Sequence, residues 1–121
     1  MIGANAPRML SITLPHVDAW NTWFTVYGNT VEGFAELNAE VDAAVGRAGR
    51  DPAEVERSAC VLVEADGGAG ERPRTVPAVP AEELEAHLRA LDEAGADEAI
   101  LVLDPITESS IRSLRTALPS A

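Results

Sequence analysis

The sequence predicts an α/β fold, a parallel sheet covered by helices, and two kinds of segment predict it. Ser58-Ala59-Cys60-Val61-Leu62-Val63-Glu64 and Glu98-Ala99-Ile100-Leu101-Val102-Leu103 are short apolar runs with almost no polar face, as strands inside a covered sheet are. Around them lie longer segments whose apolar residues recur at helical spacing. Strands alternating with amphipathic helices are the mark of crossover connections, each of which lays a helix over the sheet.

The elements follow in order. Ile2-Gly3-Ala4-Asn5-Ala6-Pro7-Arg8 reads as a strand end, a tight turn of small residues and a helix N-terminus with Pro7 near its first position. A short helix runs from Pro7 to about Leu14 and is cut by Pro15, and a short strand is expected around Val17 to Trp23. The strongest helix spans Thr30 to Ala48, because Phe34, Leu37, Val41, Ala44, Val45 and Ala48 share a face. Asn29 is its candidate N-cap, with Glu32 three residues on, and Gly49 suits its end. Asp51 and Pro52 then predict a brief helical turn ahead of the strand Ser58 to Glu64.

From Ala65 to Val79 the chain is dense in Gly and Pro and lacks periodicity, so a flexible surface loop is expected within a single domain of residues 1–121. Pro80 opens a second helix whose stripe is Leu84, Leu88, Leu91 and Ala94, ending at Gly95. The strand Glu98 to Leu103 is expected to be buried on both faces and to stop at Asp104-Pro105. A last helix is expected from Glu108 to Leu118, capped by Thr107, with Ile111, Leu114 and Leu118 on one face.

At 121 residues, 46% hydrophobic and 24% charged, the chain has the balance of one globular domain. The net charge is -11 and all nine basic residues are arginines, with no basic stripe, so nucleic acid is not an expected partner. No apolar run approaches the roughly 18 residues needed to cross a bilayer, and the N-terminus has no basic leader before an apolar core. A cytoplasmic, membrane-free protein is the expectation.

The opening turn is the first candidate site. Free N–H groups at a helix N-terminus attract anions, and small residues let a phosphate approach the backbone, with Arg8 as counter-charge. Other polar residues offer less. His16 and Asp18 read as surface neighbours, and Cys60, inside an apolar run, reads as core. His16, Cys60 and His87 lack metal-ligand spacing, so no metal is expected; His87 lies beside the Leu84, Leu88, Leu91 stripe as a helix-flank residue. Trp20, Asn21 and Trp23 end a predicted strand, where ligand sites of parallel sheets lie, but core packing is the favoured role of both tryptophans. Glu82, Glu83 and Glu85 read as a solvated face with favourable charge in a first helical turn.

Blocks of sequence carry a family resemblance. Gly3-Ala4-Asn5-Ala6-Pro7-Arg8-Met9-Leu10, followed by Asp18-Ala19-Trp20-Asn21, resembles the G-G-x-G-P-R-M-L and A-D-x-W-N segments of luciferase-like monooxygenases. Gly49-Arg50-Asp51-Pro52 through Ser58 is similar to the G-R-D-P-x-x-I-x-x-S stretch of that family, and Ala94-Gly95-Ala96-Asp97-Glu98-Ala99-Ile100-Leu101 to its A-G-x-D-E-x-I-L. The blocks keep their order and cover nearly all of the chain outside the Gly/Pro loop.

The resemblance implies the last three to four strand-helix units of a (β/α)8 barrel that uses FMN or the deazaflavin coenzyme F-420. A whole barrel of this kind takes about 250 residues and binds ligands at the C-terminal strand ends. It also implies that Gly3, Ala4, Asn5, Ala6 and Arg8 form the cofactor-phosphate turn. Ala4 and Ala6 replace family glycines, which narrows the approach to the backbone. The expected partner is the missing N-terminal barrel half or a second copy, without which the chain lacks a full active site; the competing reading is a non-catalytic, oligomerising α/β module.

Overall fold

The structure, a computed structural model, describes residues 7–65 and 75–118. Helix α1 (Pro7–Thr13) leads to strand β1 (Ala19–Thr22), a one-turn helix α2 (Phe24–Tyr27) and the long α3 (Val31–Arg47). A 3-10 turn (Pro52–Glu54) precedes β2 (Glu56–Glu64); then come β3 (Val79–Pro80), a second 3-10 turn (Ala81–Glu83), α4 (Leu84–Glu93), β4 (Glu98–Asp104) and α5 (Glu108–Ala117).

All pairings are parallel, as expected. β2 is central: β4 runs along one edge from Ser58↔Glu98 to Glu64↔Asp104. The other edge takes β1 from Ala19↔Glu56 to Thr22↔Ala59 and, further up, β3 at Val63↔Val79 and Glu64↔Pro80. Alternation along the strands gives the sheet two faces. Trp20, Thr22, Arg57, Ala59, Val61, Val63 and Leu103 are buried on the covered face, which half-buried Ala99 and Leu101 complete. Ala19, Asn21, Ser58, Cys60, Leu62, Glu64, Glu98, Ile100, Val102 and Asp104 form the opposite, inner face.

The covered face packs on α3 and α4. Phe34, Val41, Ala44 and Val45 of α3 join Leu84 and Leu91 of α4 in one core with Trp20, Val61 and Val63. Arg57, 3% exposed, is the one charge on that face among the described residues and is fully engaged. Its guanidinium donates to the Asn38 side-chain oxygen at 2.7 Å and to the Val55 and Pro52 carbonyls, and pairs with Asp42 at 2.8 Å. Such a charge stays buried only because every N–H has an acceptor.

Several boundaries differ from the expectations. Asn29 is not the cap of α3: Thr30 is, its hydroxyl accepting from Gly33 N at 3.1 Å. The short helix α2 lies where no element was expected, because its single turn is too brief to leave a periodicity. Val79 belongs to a strand rather than a loop, and Pro80 ends that strand, so α4 starts only at Leu84. Residues 66–74 of the expected loop lie outside the described residues. β4 is not buried on both faces: Ile100 is 42% exposed and Ala99, Leu101 and Val102 are half-buried, since among the described residues β4 has a strand on one side only. Ile111 of α5 is 53% exposed, while Leu114 packs against the core.

Candidate functional site

In parallel α/β sheets ligands bind beyond the C-terminal strand ends, and the residues there are the natural candidates. β2 and β4 finish in register on Glu64 and Asp104, both on the inner face; Glu64 is half-buried and Asp104 is 2% exposed. β1 finishes at Thr22, and Trp23 continues it with extended backbone angles of φ -80° and ψ 147°. Alternation therefore sets Trp23 on the inner face with Asn21, and the last register pair, Thr22↔Ala59, puts it level with Cys60.

The edge of β2 between β1 and β3 is closed by side chains. The Tyr27 hydroxyl donates to the Cys60 carbonyl at 2.6 Å. The Asn29 amide accepts from Leu62 N at 3.0 Å and donates to the Leu62 and Pro77 carbonyls at 3.0 and 2.9 Å. Asn29 holds a left-handed φ of 57° to do so, which asparagine tolerates better than most residues. Burial, and secondarily the neighbouring Cys60, push the Tyr27 phenol above its usual range, so it stays a neutral donor.

Lower on the inner face a polar ladder crosses three strands. Asn21 Nδ2 donates to the Ser58 hydroxyl at 3.0 Å and lies 3.5 Å from Cys60 Sγ, and Ser58 donates to Glu98 Oε1 at 3.0 Å. This ladder lies below the level of Glu64 and Asp104, running from the first residue of β4 through β2 to Asn21 near the end of β1.

An open cleft of about 600 Å³ lies between the start of α3 and the start of α4, lined by Asn29, Glu32, Pro77, Pro80, Glu83 and His87 among others. Burial holds the His87 pKa below its ordinary value, against the opposing pull of Glu32 and Glu83, and its Nε2 is buried with no partner among the described residues.

Of the expected site residues, Gly3, Ala4, Asn5 and Ala6 lie outside the described residues. Arg8 is exposed in the first turn of α1. Arg50 donates to the Leu14 and Val17 carbonyls at 2.6 and 2.7 Å, tying the end of α1 to the strand starts, where Glu56 N meets Asp18 O. The C-terminal end of α1 therefore lies at the strand starts. Trp20 is core, as expected, at 0% exposure, but Trp23 is not, at 42%. Glu64, Asp104 and Asn29 were not singled out as site residues in the sequence; the first two close apolar runs at strand ends, which was the available signal. Among the described residues no group of three or more His, Cys, Asp or Glu is arranged to hold a metal, and no helix is long and apolar enough to cross a membrane.

No protein-family model matches the chain, and no curated protein matches it. Solved structures do. A coenzyme F-420-dependent tetrahydromethanopterin reductase from Methanopyrus kandleri is 12% identical, with a TM-score of 0.64 over 93% of this chain and 46% of its own. An F-420-dependent secondary alcohol dehydrogenase, in complex with an F-420-acetone adduct, is 13% identical, with a TM-score of 0.65 over 98% of this chain and 46% of its own. A long-chain alkane monooxygenase is 10% identical, with a TM-score of 0.61 over 94% of this chain and 37% of its own. The chain has their fold along nearly its whole length and spans less than half of theirs. The expected partial α/β architecture is borne out.

Proposed function

We propose that this chain is the C-terminal segment of a luciferase-like flavin- or F-420-dependent oxidoreductase and contributes the cofactor-phosphate turn. The observation that carries the reading is the fold match to three oxidoreductase structures over 93 to 98% of the chain but only 37 to 46% of theirs. The ordered sequence blocks support the family. Gly3, Ala4, Asn5 and Ala6 supply backbone N–H groups to the phosphate and Arg8 its counter-charge. When bound, FMN or F-420 supplies hydride or oxygen chemistry; the chain's own part is to hold the cofactor and to form one wall of the pocket.

The protein is cytoplasmic in this reading and works with a second barrel half, an N-terminal segment or a second copy, because one half lacks a full active site. The exposed Ile100 and Ile106, at 42% and 71%, also favour a partner over β4, as does the alternative of a non-catalytic oligomerising module. Titrating FMN and F-420 into the purified chain while its mass in solution is measured separates the two. Saturable binding below millimolar cofactor is expected; a stable dimer that binds neither at millimolar concentration rejects the cofactor role.

A further inference from the structure

We propose that His87 is a pH-operated latch across the cleft between α3 and α4, its ring held as the structure shows while neutral and turned into the cleft, between Glu32 and Glu83, once protonated. The latch does not depend on cofactor binding. Its origin is an unmet hydrogen bond: His87 Nε2 is buried and has no partner among the described residues. A buried polar atom without a partner is costly, so a side chain that carries one gains from a second place to go. The open cleft of about 600 Å³ that His87 helps to line is that place.

The lining suits an imidazolium. Its charged groups are Glu32, in the first turn of α3, and Glu82 and Glu83, in the 3-10 turn before α4. Residues 77–80, which include β3, carry no titratable side chain, and no arginine lines the cleft. On α4 itself Glu85 and Arg89 are exposed and pair with each other at 2.8 Å, so they add little net charge beside His87. Glu83 precedes His87 by four residues, the spacing at which an acid meets a base one helical turn on. Glu32 and Glu83 both favour the charged ring, and the burial that opposes them belongs to the neutral position. Charge placed in the cleft meets carboxylates and water; charge left in the buried position meets neither. The side chain therefore has a neutral seat and a charged one, and pH selects between them where histidine titrates. In the charged seat it ties the start of α3 to the start of α4 and fills part of the cleft.

Nuclear magnetic resonance of the imidazole ring protons tests this in the full chain, titrated from about pH 8 to about pH 5 with a soluble paramagnetic agent present. The exposed His16, the other histidine, serves as internal reference, and circular dichroism follows folding. The His87 ring is expected to be partly shielded from the agent when neutral and more strongly relaxed once protonated, with the circular dichroism unchanged. Glu32→Gln combined with Glu83→Gln is expected to weaken proton binding by His87 about tenfold, and each single variant to give part of that loss. Relaxation of the His87 ring that stays constant through its titration overturns the latch. So do variants in which His87 titrates as in wild type, and so does unfolding in step with His87 protonation, since the charged ring would then have no seat in the fold.

Discussion

Asn29 serves Leu62 as a neighbouring strand would: its side-chain amide accepts from the Leu62 N–H and donates to the Leu62 carbonyl, each at 3.0 Å. β1 pairs with β2 only as far as Ala59, and β3 resumes the pairing at Val63, so the backbone between them needs other partners. Replacing Asn29, 3% exposed, by Ala strands a buried donor and two carbonyls and puts a residue that tolerates a left-handed φ less well at that position. The expected loss is about 2 to 4 kcal/mol in urea denaturation. Asn29→Asp should cost at least as much, since a carboxylate accepts from Leu62 N but repels both carbonyls.

Two glycines in α3 should respond with opposite signs to alanine. A β-carbon at Gly33 would lie 1.9 Å from the Tyr27 carbonyl oxygen, so Gly33→Ala must displace the α2 turn despite the better helix propensity of alanine. A β-carbon at Gly46 meets nothing within 4 Å. Thermal melts should show Gly46→Ala stabilised by about 0.5 to 1 kcal/mol and Gly33→Ala destabilised by more than 1 kcal/mol.

Thr22 is fully buried on the covered face, and its hydroxyl has no hydrogen-bond partner among the described residues. Valine has nearly the same shape without the polar group. Thr22→Val should therefore stabilise the chain by about 1 kcal/mol, read as a higher urea midpoint with an unchanged slope.

His87 makes stability depend on pH. Burial holds its folded-state pKa below the ordinary 6.5, so the unfolded chain takes up the proton first. The contribution is full above the unfolded value and is lost as pH falls through 6.5 toward the folded one; Glu32 and Glu83 limit the loss. Denaturation of wild type and His87→Gln at several pH values should show wild type losing more stability on acidification. Parallel curves would remove His87 as the source.

The long elements were legible because their pattern is strong: α3, α4 and the two apolar strands lie within a few residues of where periodicity puts them. What escaped depends on contacts distant in sequence. Asn29 looks like a cap because asparagine before a helix usually is one, yet its partners Leu62 and Pro77 lie 33 and 48 residues away. β4 reads as doubly buried because composition records hydrophobicity and not whether a neighbouring strand is present. The tryptophans divide for a similar reason: only the alternation of β1, set by its pairing with β2, separates the buried Trp20 from the exposed Trp23.

The most direct test of the proposed role compares FMN with riboflavin, which differ by the phosphate alone, in calorimetric titrations of the wild-type chain and Arg8→Ala. A phosphate held by the Gly3 to Ala6 turn and Arg8 should make FMN bind about tenfold or more tightly than riboflavin, and Arg8→Ala should narrow that gap. Equal affinity for the two ligands, or no heat of binding from either up to millimolar concentration, would contradict it.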